Sequence, residues 1–377
     1  MKRQILYVHG MESIGGAEQD LLVLLGRLNR ARWLPAVACP AQGEFRRCIE
    51  TLGIPALPVT FPPWRKVSSC FSRYGAVREL RAALQRFRPE LIHVNDLWWV
   101  PHTLRAVKRL RDRPIPVIVH VRQNLNPRKA RSYELDRVDH ALAVSHRIQE
   151  TLEQGGVTRQ CVSTLYSGVD MSAASSEVEG ASTRITYGIP SDAFVLGTVA
   201  NLLPIKGLET MIEAMPSVRM KVPMAHYVIV GGGSDTYLRE LLNLCKDRAV
   251  SDVVHFVGFR RPPWAYLAAM DLYVQPSRDE ALGIAAIEAM AMGRPVIAAR
   301  VGGLPEVVVE GSTGRLFPSG DASALSQAVI ELFQEPAVRL AMGRSGRERA
   351  RHLFDLDKTM SQLETIYHSL LAGLPRG

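Results

Sequence analysis

Glu280 and Glu288 stand eight positions apart in the stretch Gln275–Ile297, with Gly283 between them. A carboxylate can accept hydrogen bonds from two vicinal hydroxyls, so such a pair suits the recognition of sugars. The stretch reads as strand end, loop, helix and next strand. Gly283 allows a tight turn into the helix, which aims the free amides of Gly283, Ile284 and the following residue outward as an anion site, with Leu282 on the same turn. Glu280 lies on the loop before that end, and Glu288 more than a turn inside the helix. With Glu288 on a ribose and Glu280 on a hexose, the two would bracket a diphosphate held at the helix terminus.

The 377 residues ask for two domains, since one usually takes roughly 100–200. In the first half, apolar runs at Ile5–Val8, Ala36–Cys39, Leu91–Val94, Val117–Val121 and Ala141–Val144 alternate with helical patterns. The second half repeats the scheme at Val195–Val199, Tyr227–Val230, Val254–Val257, Leu272–Val274 and Pro295–Ala298. Such alternation predicts two doubly wound α/β domains, each a parallel sheet covered by helices. The segment 172–184, rich in Ser, Ala and Glu and without strong periodicity, predicts a linker between domains of residues 1–171 and 185–356. Apolar residues at helical spacing from Met360 to Leu370 predict a closing helix within 357–377 that packs back on the first domain. Ligands of open α/β sheets bind beyond the carboxyl ends of the strands, so the site is expected to face the cleft between the halves.

Several chemistries fall away. The turn Gly10–Ala17 lacks the Lys-Ser/Thr of a P-loop, and Thr236 stands where a dinucleotide fingerprint after Gly231-Gly232-Gly233 needs glycine. No HExxH, GxSxG or paired Cys/His ligand set occurs. The five scattered cysteines fit reduced thiols rather than a disulfide framework. Asp355-Leu356-Asp357 could hold a divalent cation beside a diphosphate, but it opens the closing helix, where acidic residues favour the positive dipole end. The first apolar run is too short for a signal peptide core, and no stretch approaches the roughly 20 apolar residues of a spanning helix. A cytoplasmic location is expected, with any membrane contact peripheral at the inner face. The net charge of +9 suggests an anionic partner: nucleic acid, an acidic membrane face or a phosphorylated substrate.

Pro276-Ser277, Glu288-Ala289-Met290-Ala291, Gly293-Arg294-Pro295-Val296-Ile297 and Val301-Gly302-Gly303-Leu304-Pro305-Glu306 surround the two glutamates. Together they resemble the donor site of retaining glycosyltransferases of the GT-B fold, family 4 (glycosyl transferases group 1), whose mark is Glu-x7-Glu. The resemblance implies two Rossmann-like domains facing a central cleft, the N-terminal one for the acceptor and the C-terminal one for the donor. Ala200–Gly207 resembles the family's loop whose lysine contacts the donor diphosphate, a role that falls on Lys206; Asn201 stands where the family commonly has an arginine. Gly15-Gly16-Ala17-Glu18 resembles the glycine loop that lies against donor phosphate and acceptor, and Gly258-Phe259-Arg260 lies where the family presents backbone to the nucleobase. The sugar-facing histidine falls on His120, although many relatives place it two positions later, where this chain has Arg122. Arg122 and Glu18 are then candidates for the acceptor side.

What the resemblance implies is transfer of a sugar from a nucleoside diphosphate to an acceptor hydroxyl, with retention and without metal or other cofactor. Lys206 and the amides near Gly283 would stabilise the departing diphosphate while Glu280 orients the sugar. The acceptor would be a saccharide or lipid-linked, in bacterial envelope glycolipid or polysaccharide synthesis. Positive charge gathers between Arg73 and Arg131, with Trp64, Trp98 and Trp99 nearby, which suits an anionic membrane surface. The competing readings are another GT-B enzyme such as a nucleotide-sugar epimerase or phosphorylase, a degenerate nucleotide-sugar sensor, and a non-catalytic nucleic-acid binder. No nucleic-acid recognition motif occurs, so nucleic acid is not expected as a partner.

Overall fold

A computed structural model describes residues 2–64, 70–110, 114–174 and 177–373. Arg111 and Arg113, part of the basic stretch, lie outside the described residues. The chain divides into two compact units, the first being Met1–Ser167 with Asp357–Gly377 and the second Gly168–Leu356.

The first unit is built on strands β1 (Arg3–Val8), β2 (Trp33–Cys39), β3 (Ala56–Pro58), β4 (Leu91–Asn95), β5 (Val117–Val121), β6 (His140–Ala143) and β7 (Val162–Thr164). They form one seven-stranded sheet in the order β3-β2-β1-β4-β5-β6-β7, and every pairing is parallel. β4 and β5 are buried along their whole length, which explains why such strands read as continuous apolar runs rather than as alternation. The sequence reading leaves out the two edges, β3 and β7. Each has three residues, and Pro58 is tolerated because an edge strand leaves one ladder unpaired.

The helix Leu356–Ala372 belongs to this unit. It buries Met360, Leu363, Tyr367 and Leu371, and Asp357 in its first turn lies 3.9 Å from Arg27. The Tyr367 hydroxyl meets His93 Nδ1 at 2.5 Å and the Tyr7 hydroxyl at 3.1 Å, while its ring packs edge-on to Trp33.

The second unit carries β8 (Phe194–Val199), β9 (Ala225–Val230), β10 (Val254–Gly258), β11 (Leu272–Gln275), β12 (Val296–Ala299) and β13 (Gly314–Phe317). They form a six-stranded sheet in the order β10-β9-β8-β11-β12-β13. Chain order reverses between β8 and β11, so the crevice beyond their carboxyl ends is where such a sheet takes a ligand. The expected linker is corrected here. The helix Glu177–Thr186 begins inside 172–184 and belongs to the second unit. A Cβ at Gly180 would meet the backbone of Ala268 at 2.8 Å, so this helix lies directly on the helix Trp264–Ala269. Arg184 then donates to the Ala269 carbonyl and to Asp271, each at 2.9 Å. A bare glycine and an arginine fix the helix, and neither leaves an apolar period to read.

Candidate functional site

The loops that leave β8 and β11 hold the candidate groups of the second unit together. Lys206 Nζ donates to Glu280 Oε2 at 2.8 Å. The two loops touch because Gly207 has φ +62° and no side chain; a Cβ there would overlap the Pro276 carbonyl oxygen. The Arg278 amide also donates to the Ile205 carbonyl at 2.8 Å. The same oxygen of Glu280 accepts from Ser277 Oγ at 3.1 Å and from Gln275 Nε2 at 3.4 Å. Gln275 donates in turn to Ser277 Oγ at 2.8 Å and accepts from the Tyr273 hydroxyl at 2.5 Å. Glu280 is therefore the open end of a buried polar chain that fixes its rotamer. Sequence reasoning missed Gln275 and Ser277, which are 2% and 0% exposed. The signal was available in the polar series Tyr273, Gln275, Ser277, which repeats every second residue from buried β11 into the loop after it.

Gly283 takes φ +104°, a region open to glycine, and caps the helix Ile284–Ala291. A Cβ at this position would meet Leu304 Cδ2 at 2.6 Å. The Gly283 carbonyl accepts from the amides of Ala286 and Ile287; those of Ile284 and Ala285 come earlier and have no intrahelical acceptor. Leu282 is buried and anchors the turn. The Gly303 amide donates to the Glu280 carbonyl at 2.9 Å, bracing the loop from behind. Glu288, inside the helix, is mostly buried; burial pushes its carboxyl up to about 7, with the Arg261 guanidinium pulling the other way. At the end of β10, Gly258 has φ +78°, Phe259 is well exposed, and Arg260 donates to the Phe259 carbonyl and to the Tyr266 hydroxyl. Asn201 is exposed on the loop after β8.

In the first unit, the glycine loop is held by Glu18, which accepts from the Gly15 amide at 2.8 Å and pairs with His9 Nε2 at 3.2 Å. Burial alone would raise the Glu18 carboxyl, but His9 and these amide bonds outweigh it and hold it below the usual carboxylate range. A Cβ on Gly16 would meet nothing within 4 Å, so the loop's open side lies there. Three of the expected residues are enclosed by neighbours. Glu18 is engaged by its own loop. His120 is 1% exposed, its Nδ1 meets Arg122 Nη2 at 2.9 Å, and burial holds its imidazole down to about 3. Arg122 is itself enclosed: it pairs with Asp20, donates through Nε to Asn95 Oδ1 at 2.8 Å, and burial lowers it to about 9. Ser167 Oγ completes this cluster by donating to Asp20 at 2.6 Å. His120 and Arg122 thus form a buried framework under the loop, assembled from partners far apart in sequence.

Residues 181–349 match the profile of the glycosyl transferases group 1, and residues 14–173 that of glycosyltransferase family 4. A D-inositol 3-phosphate glycosyltransferase of Corynebacterium glutamicum (strain R) is 32% identical over 303 residues, which are 74% of this chain and 69% of that protein. The chain belongs to the group 1 glycosyltransferases. An N-acetyl-alpha-D-glucosaminyl L-malate synthase of Bacillus anthracis is 29% identical over 239 residues, 63% of this chain; the match spans 62% of that relative, less than two thirds of its length. Among solved structures, Anabaena HepE in complex with UDP and glucose superposes with a TM-score of 0.85 at 23% identity, covering 97% of this chain and 99% of that one. The sucrose-phosphate synthase of Thermosynechococcus elongatus gives 0.83 at 21%, covering 98% and 100%. The fold is that of GT-B glycosyltransferases, two Rossmann-like α/β domains. In this group 1 glycosyltransferase no described helix is long and apolar enough to cross a membrane. Among the described residues no three His, Cys, Asp or Glu side chains are grouped to hold a metal ion.

Proposed function

We propose that the chain is a retaining, metal-independent glycosyltransferase that moves a sugar from a nucleoside diphosphate to an acceptor hydroxyl, with the donor on the second unit and the acceptor on the first. The observation that carries this reading is the Lys206–Glu280 pair at the sheet's reversal, one loop away from the Gly283 helix terminus. As the bond from the anomeric carbon to the phosphate oxygen breaks, negative charge grows on the leaving diphosphate. Lys206 and the free amides of Ile284 and Ala285 meet that charge from fixed positions, so no resident metal is needed. Glu280, locked by Ser277 and Gln275, accepts from sugar hydroxyls and holds Lys206 in place. Glu288 accepts from the ribose. Neither carboxylate is a nucleophile. HepE, crystallised with UDP and glucose, supports the donor class.

The acceptor is a saccharide or lipid-linked molecule of bacterial envelope or polysaccharide synthesis. Peripheral membrane contact at the inner face is supported by Phe71, 94% exposed, and Tyr74, 61% exposed, with Arg109 over the Tyr74 ring.

The test is thermal-shift binding of UDP-, GDP-, ADP- and TDP-sugars in EDTA, with the anomeric configuration of the product read by NMR. One nucleotide class should stabilise the protein and the product should retain its configuration. Lys206→Ala should lower kcat about 10²–10³-fold with the fold intact. A requirement for a divalent cation, or an inverted product, would overturn the reading.

A further inference from the structure

The first unit holds a cavity of about 240 Å³ beyond the carboxyl ends of β1, β2 and β3, lined by Gly10, Glu12, Pro40, Gln42, Thr60 and Phe61 among others. This is the ligand end of an open parallel sheet, and Gly10 and Glu12 belong to the connection that carries the glycine loop. Its floor is aromatic. Phe61 packs on Trp99 with ring centroids 5.4 Å apart, and Gly10 is bare because a Cβ there would meet the Trp99 ring at 2.7 Å. Its rim is polar and unengaged: among the described residues the Glu12 carboxylate, the Gln42 amide and the Thr60 hydroxyl have no hydrogen-bond partner. The backbone beneath Glu12 is nevertheless fixed. Its carbonyl accepts from the Phe45 amide at 3.0 Å, and Gly43, at φ +110°, has no side chain to push it away.

An apolar ring floor with a carboxylate, an amide and a hydroxyl around it matches a molecule with C–H groups on one face and hydroxyls at its edge. The volume falls below the roughly 300–1,000 Å³ of drug-sized pockets and suits one six-membered ring. Charge narrows the class further. Among the described residues the lining includes Glu12 and no cation, and Glu79 stands beside it, accepting from the Thr60 amide at 2.9 Å. Arg122, offered by the sequence to an anionic acceptor, is enclosed with Asp20 instead.

We propose that this cavity is the acceptor subsite and that it selects a neutral or cationic polyhydroxylated ring, a sugar or cyclitol unit without phosphate or carboxylate at that ring, through Glu12, Gln42 and Thr60. This rests on the reading of the first unit as the acceptor side.

The full chain would be titrated with D-glucose, D-glucosamine and D-glucose 6-phosphate, by saturation-transfer NMR for contact and calorimetry for affinity. Glucose and glucosamine should bind, and glucose 6-phosphate at least tenfold more weakly. Glu12→Arg should reverse that order, and Gln42→Leu should weaken glucose with its melting temperature unchanged. Donor-induced thermal shifts should be the same in the wild type and both variants. Preferential binding of the phosphorylated sugar by the wild type, binding indifferent to Glu12→Arg, or no binding of any of the three would overturn the proposal. A normal donor shift alongside such a result would confine the failure to the subsite. A missing donor shift would instead strike the glycosyltransferase reading itself.

Discussion

The ribose role proposed for Glu288 predicts that donor binding depends on pH. Its carboxyl lies at about 7 because burial penalises the charge, and the Arg261 guanidinium only partly compensates. Two ribose hydroxyls donate more strongly to the ionised form, whose two oxygens both accept, so affinity is full above this value and falls as pH drops through it. The competent fraction is about nine-tenths at pH 8, about half at pH 7 and about a tenth at pH 6. Apparent affinity scales with that fraction, so Kd should rise about tenfold between pH 8 and pH 6, equivalent to about 1.4 kcal/mol. Calorimetry with the preferred nucleoside diphosphate at pH 6, 7 and 8 reads this directly. Glu288→Gln controls for ionisation of the nucleotide itself: it should bind weakly throughout and lose the carboxyl's part of the slope. Arg261→Ala removes a guanidinium that pulls the carboxyl down, so the midpoint should move above that of the wild type. Identical pH profiles for the wild type and Glu288→Gln would refute the assignment of Glu288 to the ribose.

Three further outcomes test the framework around the sites. Gly283→Ala forces an ordinary residue to φ +104° against Leu304, so stability should fall by at least about 1–2 kcal/mol in urea unfolding; an unchanged midpoint would count against the strained turn. Tyr367→Phe strips a buried partner from His93 and Tyr7, and a loss of about 1–3 kcal/mol is expected. On neighbouring strands, His226 Nδ1 and His255 Nε2 lie 2.9 Å apart with stacked rings, and burial holds both imidazoles below their usual value. A His with a depressed folded value contributes stability that is present above the unfolded value of about 6.5 and lost as pH falls below it. The melting temperature should therefore drop from pH 7.5 to pH 5, and His255→Leu should make that drop shallower.

The central strands were legible because both faces of each sheet are covered, which turns a strand into a short apolar run. β3, β7 and β13 were not, since each is a sheet edge that is only partly buried and carries Pro, Ser-Thr or Gly-Arg in place of a continuous apolar run. On the loops after β8 and β11, Lys206, Glu280, Gly283 and Glu288 could be singled out from sequence, as each sits in a local motif. The support behind them could not, because Gln275 ends buried β11 and Ser277 lies buried just past it, where polar residues look incidental. The enclosure of His120, Arg122 and Glu18 was hidden for the converse reason. Their types suggested ligand chemistry, while Asp20, Asn95, Ser167 and His9, which enclose them, join only when the sheet and the glycine loop have formed.

The closing helix has a consequence for the order in which the protein is made. The first unit receives Tyr367 and Leu363 only from the last part of the chain, after every residue of the second unit. As the polypeptide leaves the ribosome, the second unit can complete its six strands before the first can be sealed. Until then Trp33, Tyr7 and His93 lack the ring and hydroxyl that cover them. A nascent chain stalled before Leu363 should thus carry a finished second unit and an unsealed first unit, which makes that interval the point at which a chaperone would engage it.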